Sequence, residues 1–260
     1  MIPLPQRCNF HASRFLPILA LLTAGIPAVA QQGTASTPLS ADEVMRRVVQ
    51  MNGQRANALE TYTSIRSYHL DCHCLPHKTA DMVVRAEYDA PNKKVFTIVS
   101  ESGSGTVRSR VFKKLLEAEQ ESMRDENEHR SAITPENYTF QLTEYQKTDG
   151  NQFYVLEARP LSKNKFLFRG RLWVDAKDFA IARVEGEPAV NPSWWTVKTD
   201  FKRTYQKIGG FWLPNANESE TKVRMFGTAV LTIKYGDYQI TQAHSLDSAR
   251  DVEESHSNGH

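Results

Sequence analysis

From Phe166 to Tyr238 the sequence repeats with a period of two, and that period confines the stretch to extended strands rather than helices. Four segments carry it: KFLFRGRLWVD, DFAIARVEGE, WWTVKTDFKRTYQ and ESETKVRMFGTAVLTIKY. In the third, Trp195, Val197, Thr199, Phe201 and Tyr205 alternate with Trp194, Lys198, Asp200, Lys202 and Thr204. One charged set and one apolar set mean a sheet with one wet face and one covered face. Val223 and Met225 repeat the alternation against Glu220, Lys222 and Arg224, and Ala229, Leu231, Ile233 and Tyr235 repeat it against Thr228, Thr232 and Lys234. Asp175 to Asp178, Gly209-Gly210 and Gly227 punctuate the strands as hairpin turns. The expected fold class is mainly β (α+β), with a strongly curved antiparallel sheet.

An apolar sheet face needs a cover, and two stretches upstream offer one. Ser40 with Glu43 three residues on has the pattern of a capping box. Val44, Val48 and Met51, with Met45 beside them, then recur at helical spacing to about Ala58. Strands are expected at Tyr62 to Leu70, Asp81 to Tyr88 and Lys94 to Ser100. Ser102-Gly-Ser-Gly105 reads as a flexible turn, and Thr106 to Val111 as a further short strand. Phe112 to Asn127 is rich in helix formers, with Phe112, Leu115, Leu116 and Met123 on one side, and predicts a second helix. Tyr138 to Gln146 and Gln152 to Ala158 form a hairpin around Asp149-Gly150.

The first thirty residues stand apart. Arg7, His11 and Arg14 precede a short apolar run, Phe15 to Ala24, and Ala28-Val29-Ala30 is a small-x-small cleavage pattern, so residues 1–30 read as a secretory signal peptide. The expected organisation is a linker at 31–39, a single domain at 40–241 and a polar, disordered tail at 242–260. The apolar run falls short of a membrane span, and no cysteine follows the cleavage site where a lipid would be attached, so a soluble periplasmic protein is expected. Without the leader, Lys plus Arg falls from 32 to 30 against 30 Asp plus Glu. That balance gives no reason to expect nucleic acid as a partner.

His69, Cys72, His73, Cys74 and His77 gather two thiols and three imidazoles within nine positions. The donor types suit zinc or copper, but Cys72-x-Cys74 is tighter than the usual spacing of paired thiol ligands. A disulfide, within the chain or between chains, and ordinary loop residues are the other readings, and no metal or cofactor is expected. Gly-x-Ser-x-Gly, phosphate loops and dinucleotide fingerprints do not occur, so no catalytic residue is assigned. The aromatic residues of the second half serve either as filled core or as the lining of a groove for an acyl chain.

Phe168-Arg-Gly-Arg-Leu-Trp-Val-Asp175, then Ala180-Ile-Ala-Arg-Val-Glu-Gly186, Phe211-Trp-Leu-Pro214 and Phe226-Gly-Thr-Ala-Val-Leu-Thr-Ile-Lys-Tyr235, resemble strand-turn-strand units of the periplasmic lipoprotein-sorting proteins. This LolA-like group includes the LolB-like and RseB-like domains. The resemblance implies an open half-barrel covered by two or more helices, enclosing a hydrophobic cavity for lipoprotein acyl chains or another lipid. It also implies a non-enzymatic, monomeric carrier working with inner- or outer-membrane envelope components. The alternative is an RseB-like sensor that binds a protein partner without lipid. The expected lining takes one apolar residue set from each strand: Val84, Tyr88, Trp195, Val197, Phe201, Tyr205, Val223, Met225, Leu231 and Ile233. Val44, Val48, Leu115 and Leu116 would face them from the helices.

Overall fold

In the computed structural model, residues 39–243 are described apart from Asn92, Asp149, Pro192, Ser193, Trp195 and Phe226. The expected signal peptide, the linker before Leu39, the tail beyond Ala243 and Trp195 lie outside the described residues. Alternation becomes ten strands: β1 (Leu59–His73), β2 (Lys78–Asp89), β3 (Lys93–Gly103), β4 (Tyr138–Thr148) and β5 (Asn151–Pro160), then β6 (Phe168–Asp175), β7 (Ile181–Pro188), β8 (Thr196–Ile208), β9 (Phe211–Val223) and β10 (Gly227–Ala243). They form one antiparallel sheet in the order β3-β2-β1-β10-β9-β8-β7-β6-β5-β4. The sheet is open, with β3 and β4 as its edges, and the junction of β1 with β10 joins its two halves.

Helix α1 (Ala41–Ala58) starts as its cap requires, with Ser40 Oγ accepting from the Glu43 amide at 3.2 Å. The Glu43 carboxylate turns away to Arg46 and Arg47, both at 2.8 Å, and hydrogen bonds from these two guanidiniums hold its pKa down to about 2. Only half of the expected capping box is therefore made. Val44, Met45 and Val48 are fully buried against Tyr138, Leu156, Leu172, Val174 and Val184, so α1 covers β4 to β7.

Between β3 and β4 the chain must travel from one sheet edge to the other. It does so as helix: α2 (Gly105–Val107), a π-helical turn (Arg108–Phe112), α3 (Lys113–Ser122) and α4 (Asp125–Ser131). This corrects two expectations. Thr106 to Val111 is helical rather than a strand, because Val107, Phe112 and Leu116 are the residues that bury, and that spacing fits helix. Ser102-Gly-Ser-Gly105 is a strand-to-helix junction rather than a hairpin turn, with Gly103 at φ 77°. Val107, Phe112 and Leu116 pack on Tyr68, Leu70, Met82, Val84 and Ile233, so this helical crossing covers β1, β2 and β10.

Strand register shows that both covers lie on one face. Met82, Tyr68, Ile233, Asn217, Arg203, Val184, Leu172 and Leu156 are successive cross-strand partners from β2 to β5. The row is apolar under each helix and polar in the middle. One row over, Gly186 and Gly170 pair between Phe201 and Ala158. A Cβ on either glycine would overlap the backbone of the opposite strand, so only glycine lets β6 and β7 approach there.

Cys72 and Cys74 form a disulfide within the chain, so of the three readings of this segment the intrachain bond is the one adopted. Its sulfurs are thereby withdrawn as thiolate ligands.

Candidate functional site

The stretch of the covered face between the two helical packs holds a cleft of about 410 Å³. Leu115, Ala118, Glu119 and Ser122 recur at i, i+3, i+4 and i+7 on α3 and form its roof. Its floor is Tyr205, Ile233, Tyr235 and Tyr68, with Phe166 at one side. Lys165 and Arg203 bring two cations to the same space. Asn217 Oδ1, also in the lining, is buried without a hydrogen-bond partner. The cleft thus combines rings and aliphatic side chains with several polar and charged groups.

Beside the cleft, the roof is fastened to the sheet by charge. Arg66 is inward-facing on β1, its side chain 1% exposed, and it donates to Glu119 Oε2 at 2.7 Å; Lys94 of β3 reaches Glu119 Oε1 at 2.9 Å. The Arg66 guanidinium also stacks over the rings of Phe96 and Tyr235, 5.1 and 5.0 Å from their centroids. Burial disfavours charge on Arg66, but the Glu119 carboxylate outweighs it and the pKa rises. Burial likewise pushes the Glu119 carboxyl up, yet Lys94 and Arg66 together bring it below the ordinary glutamate value. Burial raises the phenols of Tyr235 and Tyr238, so both stay neutral around this ion cluster.

Ten lining residues are expected from the sequence, and they scatter. Tyr205 and Ile233 line the cleft. Val84 is fully buried in the packed core under α3, and Leu231 packs against that same core. Tyr88 stacks on Tyr62 with ring centroids 5.1 Å apart, and Phe201 meets Phe168 edge-on at 5.8 Å. Val197 is 54% exposed because a register shift between Thr196 and Lys198 puts Thr196 rather than Val197 in the buried phase, while Thr199 keeps the expected one. Met225 is 90% exposed in the β9–β10 turn at φ 64°, two residues beyond half-buried Val223. Trp195 lies outside the described residues. Glu119, Arg203, Phe166, Tyr235 and Tyr68 complete the cleft without being expected there.

A larger groove of about 620 Å³ lies elsewhere on the sheet, lined by Trp173, Arg183, Trp212, Lys207 and Asp178 among others. Trp173 sits on the face opposite Leu172 and Val174, and Arg183 covers its ring at 3.5 Å. Asp178 is held by Lys207 at 2.6 Å and by the Trp212 indole at 2.9 Å. Ion pairs and aromatic rings together line this groove. Among the described residues no helix is long and apolar enough to cross a membrane.

No protein-family model matches the chain, and no curated protein does. Solved structures do. A DUF1329 family protein from Desulfovibrio piger is 12% identical over 78% of this chain and 93% of its own, with a TM-score of 0.40. A LolA superfamily protein from Nitrosomonas europaea is 12% identical over 78% and 94%, with a TM-score of 0.35. The MucA/MucB complex of Pseudomonas aeruginosa contains a chain 10% identical over 78% and 95%, with a TM-score of 0.26.

Proposed function

We propose that this chain is a non-enzymatic periplasmic carrier that holds an acyl chain, of a lipoprotein or another lipid, between α3 and strands β8 to β10. The observation behind this reading is the cleft: Leu115, Phe166, Tyr205, Ile233 and Tyr235 line it with rings and aliphatic groups, while Arg203 stands at hand for a polar head group and Lys165, also in the lining, is paired with Glu121 at 2.8 Å. Each CH₂ moved from water to such walls is worth about 0.8 kcal/mol, so a long hydrocarbon tail supplies ample affinity. Arg203 is exposed and can donate to an ester or carboxylate oxygen, while Asn217 Oδ1, which has no protein partner, would accept from a hydroxyl or amide N–H of a head group.

A fluorescent fatty-acid probe is expected to bind the purified chain one to one. Ala118→Trp, which sets an indole on the exposed roof side of the cleft, should weaken the probe at least about tenfold without unfolding the protein. Tyr145→Ala, on edge strand β4, should leave binding unchanged. Equal binding by Ala118→Trp and the parent chain would refute the assignment of the cleft.

A second reading, an envelope sensor that engages a partner protein without lipid, is favoured by the open edge at β3. Val95, Ile98 and Val99 are exposed along it, and an unpaired strand edge can accept a strand from another chain. Failure of the acyl probe together with strand-like binding of an extended peptide would favour this reading.

A further inference from the structure

We propose that Asp71, His73 and His77, at the tip of the β1–β2 hairpin, form a three-ligand site for a zinc ion. The phase of β1 is fixed by burial: Tyr68, Leu70 and Cys72 pack toward the core under α3, so Asp71 and His73 point to the opposite, solvent face. His77 stands at the far side of the hairpin tip, and its Nε2 lies 2.6 Å from Asp71 Oδ1. His73 Nε2 lies 3.5 Å from Asp71 Oδ2, and the two imidazole centroids are 5.7 Å apart. All three donor atoms fall within 4.8 Å of one another.

Three features make this more than a pair of surface ion contacts. His73 and His77 have the His-x₃-His spacing that zinc sites use, and neutral imidazoles with one carboxylate are a donor set zinc accepts. Zinc bonds of about 2.0–2.1 Å place tetrahedral ligand atoms roughly 3.3 Å apart, a separation these side chains reach by small rotations. The backbone beneath them is also constrained. The Cys72–Cys74 disulfide brackets His73, and Gly227 of the neighbouring strand packs so closely on the His73 carbonyl that a Cβ there would overlap it. A fixed backbone at His73 reduces the freedom lost there when the ion arrives. Three protein ligands leave one tetrahedral position for water or for a donor from a partner molecule. The site is separate from the acyl cleft and does not depend on it.

The test is zinc titration of the full chain against a chromophoric chelator of known affinity. One zinc per chain is expected at this site. His73→Ala and His77→Ala should each weaken it at least about tenfold, and Asp71→Asn should weaken it in the same direction. His69→Ala is the control: His69 shares the strand face but is engaged with Asp81 at 2.7 Å, so its loss should leave zinc affinity unchanged. Excess calcium, which prefers a larger set of oxygen ligands, should not compete. Zinc affinity unchanged in His73→Ala and His77→Ala, or lowered as much by His69→Ala, would overturn the assignment. All four residues are at least partly exposed, so these variants are expected to fold as the parent does.

Discussion

Glu119→Ala is expected to destabilise the protein by about 3–5 kcal/mol in denaturant unfolding, because it leaves Arg66 buried as an unpaired charge. Arg66 cannot neutralise and its side chain is almost wholly out of water. Replacing both partners, Arg66→Leu with Glu119→Leu, removes the Arg66 charge together with its partner and leaves only the flexible Lys94 to reach water, so it should cost clearly less than the single change. Acid should act in the same direction as Glu119→Ala. Glu119 is lowered in the folded state, so its stabilising contribution is complete above the unfolded glutamate value of about 4.3 and is lost as pH falls through the lower folded value. The stability gap between the parent chain and Glu119→Gln should therefore close on acidification. A single variant within about 0.5 kcal/mol of the parent would mean that the Arg66–Glu119–Lys94 cluster does not fasten the roof.

Phe112→Ala should be as severe, also about 3–5 kcal/mol, for a different reason. Phe112 ends the π-helical turn, is fully buried, and places its ring 5.8 Å from that of Tyr68. Truncation opens a cavity where the roof is seated on β1 and β2. Phe112→Leu, which keeps most of the volume, should cost much less. Hydrogen exchange is expected to rise first across residues 105–122 in Phe112→Ala, with protection of β5 to β7 retained, since α1 packs those strands in a separate core. Uniform loss of protection, or no loss at all, would contradict the division into two packs.

The sheet was legible because alternation is a local property: Tyr62, Tyr68, Leu70, Met82 and Val84 announce a covered face without reference to any other strand. The first helix was legible through its cap and spacing. Residues 106–111 are ambiguous because a six-residue stretch holding two valines suits a strand as well as a helix, and only the crossing from β3 to β4 decides it. Val197 went astray at a register shift, which shows only when two strands are paired. The cleft was harder. Arg66 and Arg203 occupy the inward phase of their strands, between Ser64 and Tyr68 and between Phe201 and Tyr205, and an arginine in the apolar phase is the one sequence signal that pointed to a charged interior. Its partner Glu119 lies fifty-three positions from Arg66, and nothing local joins them. The Asp71 carboxylate was similarly hidden beside a more conspicuous cysteine and histidine run.

In the proposed function the space under α3 receives an acyl chain. Crystals of the purified chain grown with a long-chain fatty acid provide the measurement. The tail is predicted to lie between Leu115 and the Tyr205–Ile233 floor, with its carboxylate toward Lys165 and Arg203. Density for the tail in the Trp173–Trp212 groove, or a cleft closed by protein side chains with no bound lipid, would contradict it.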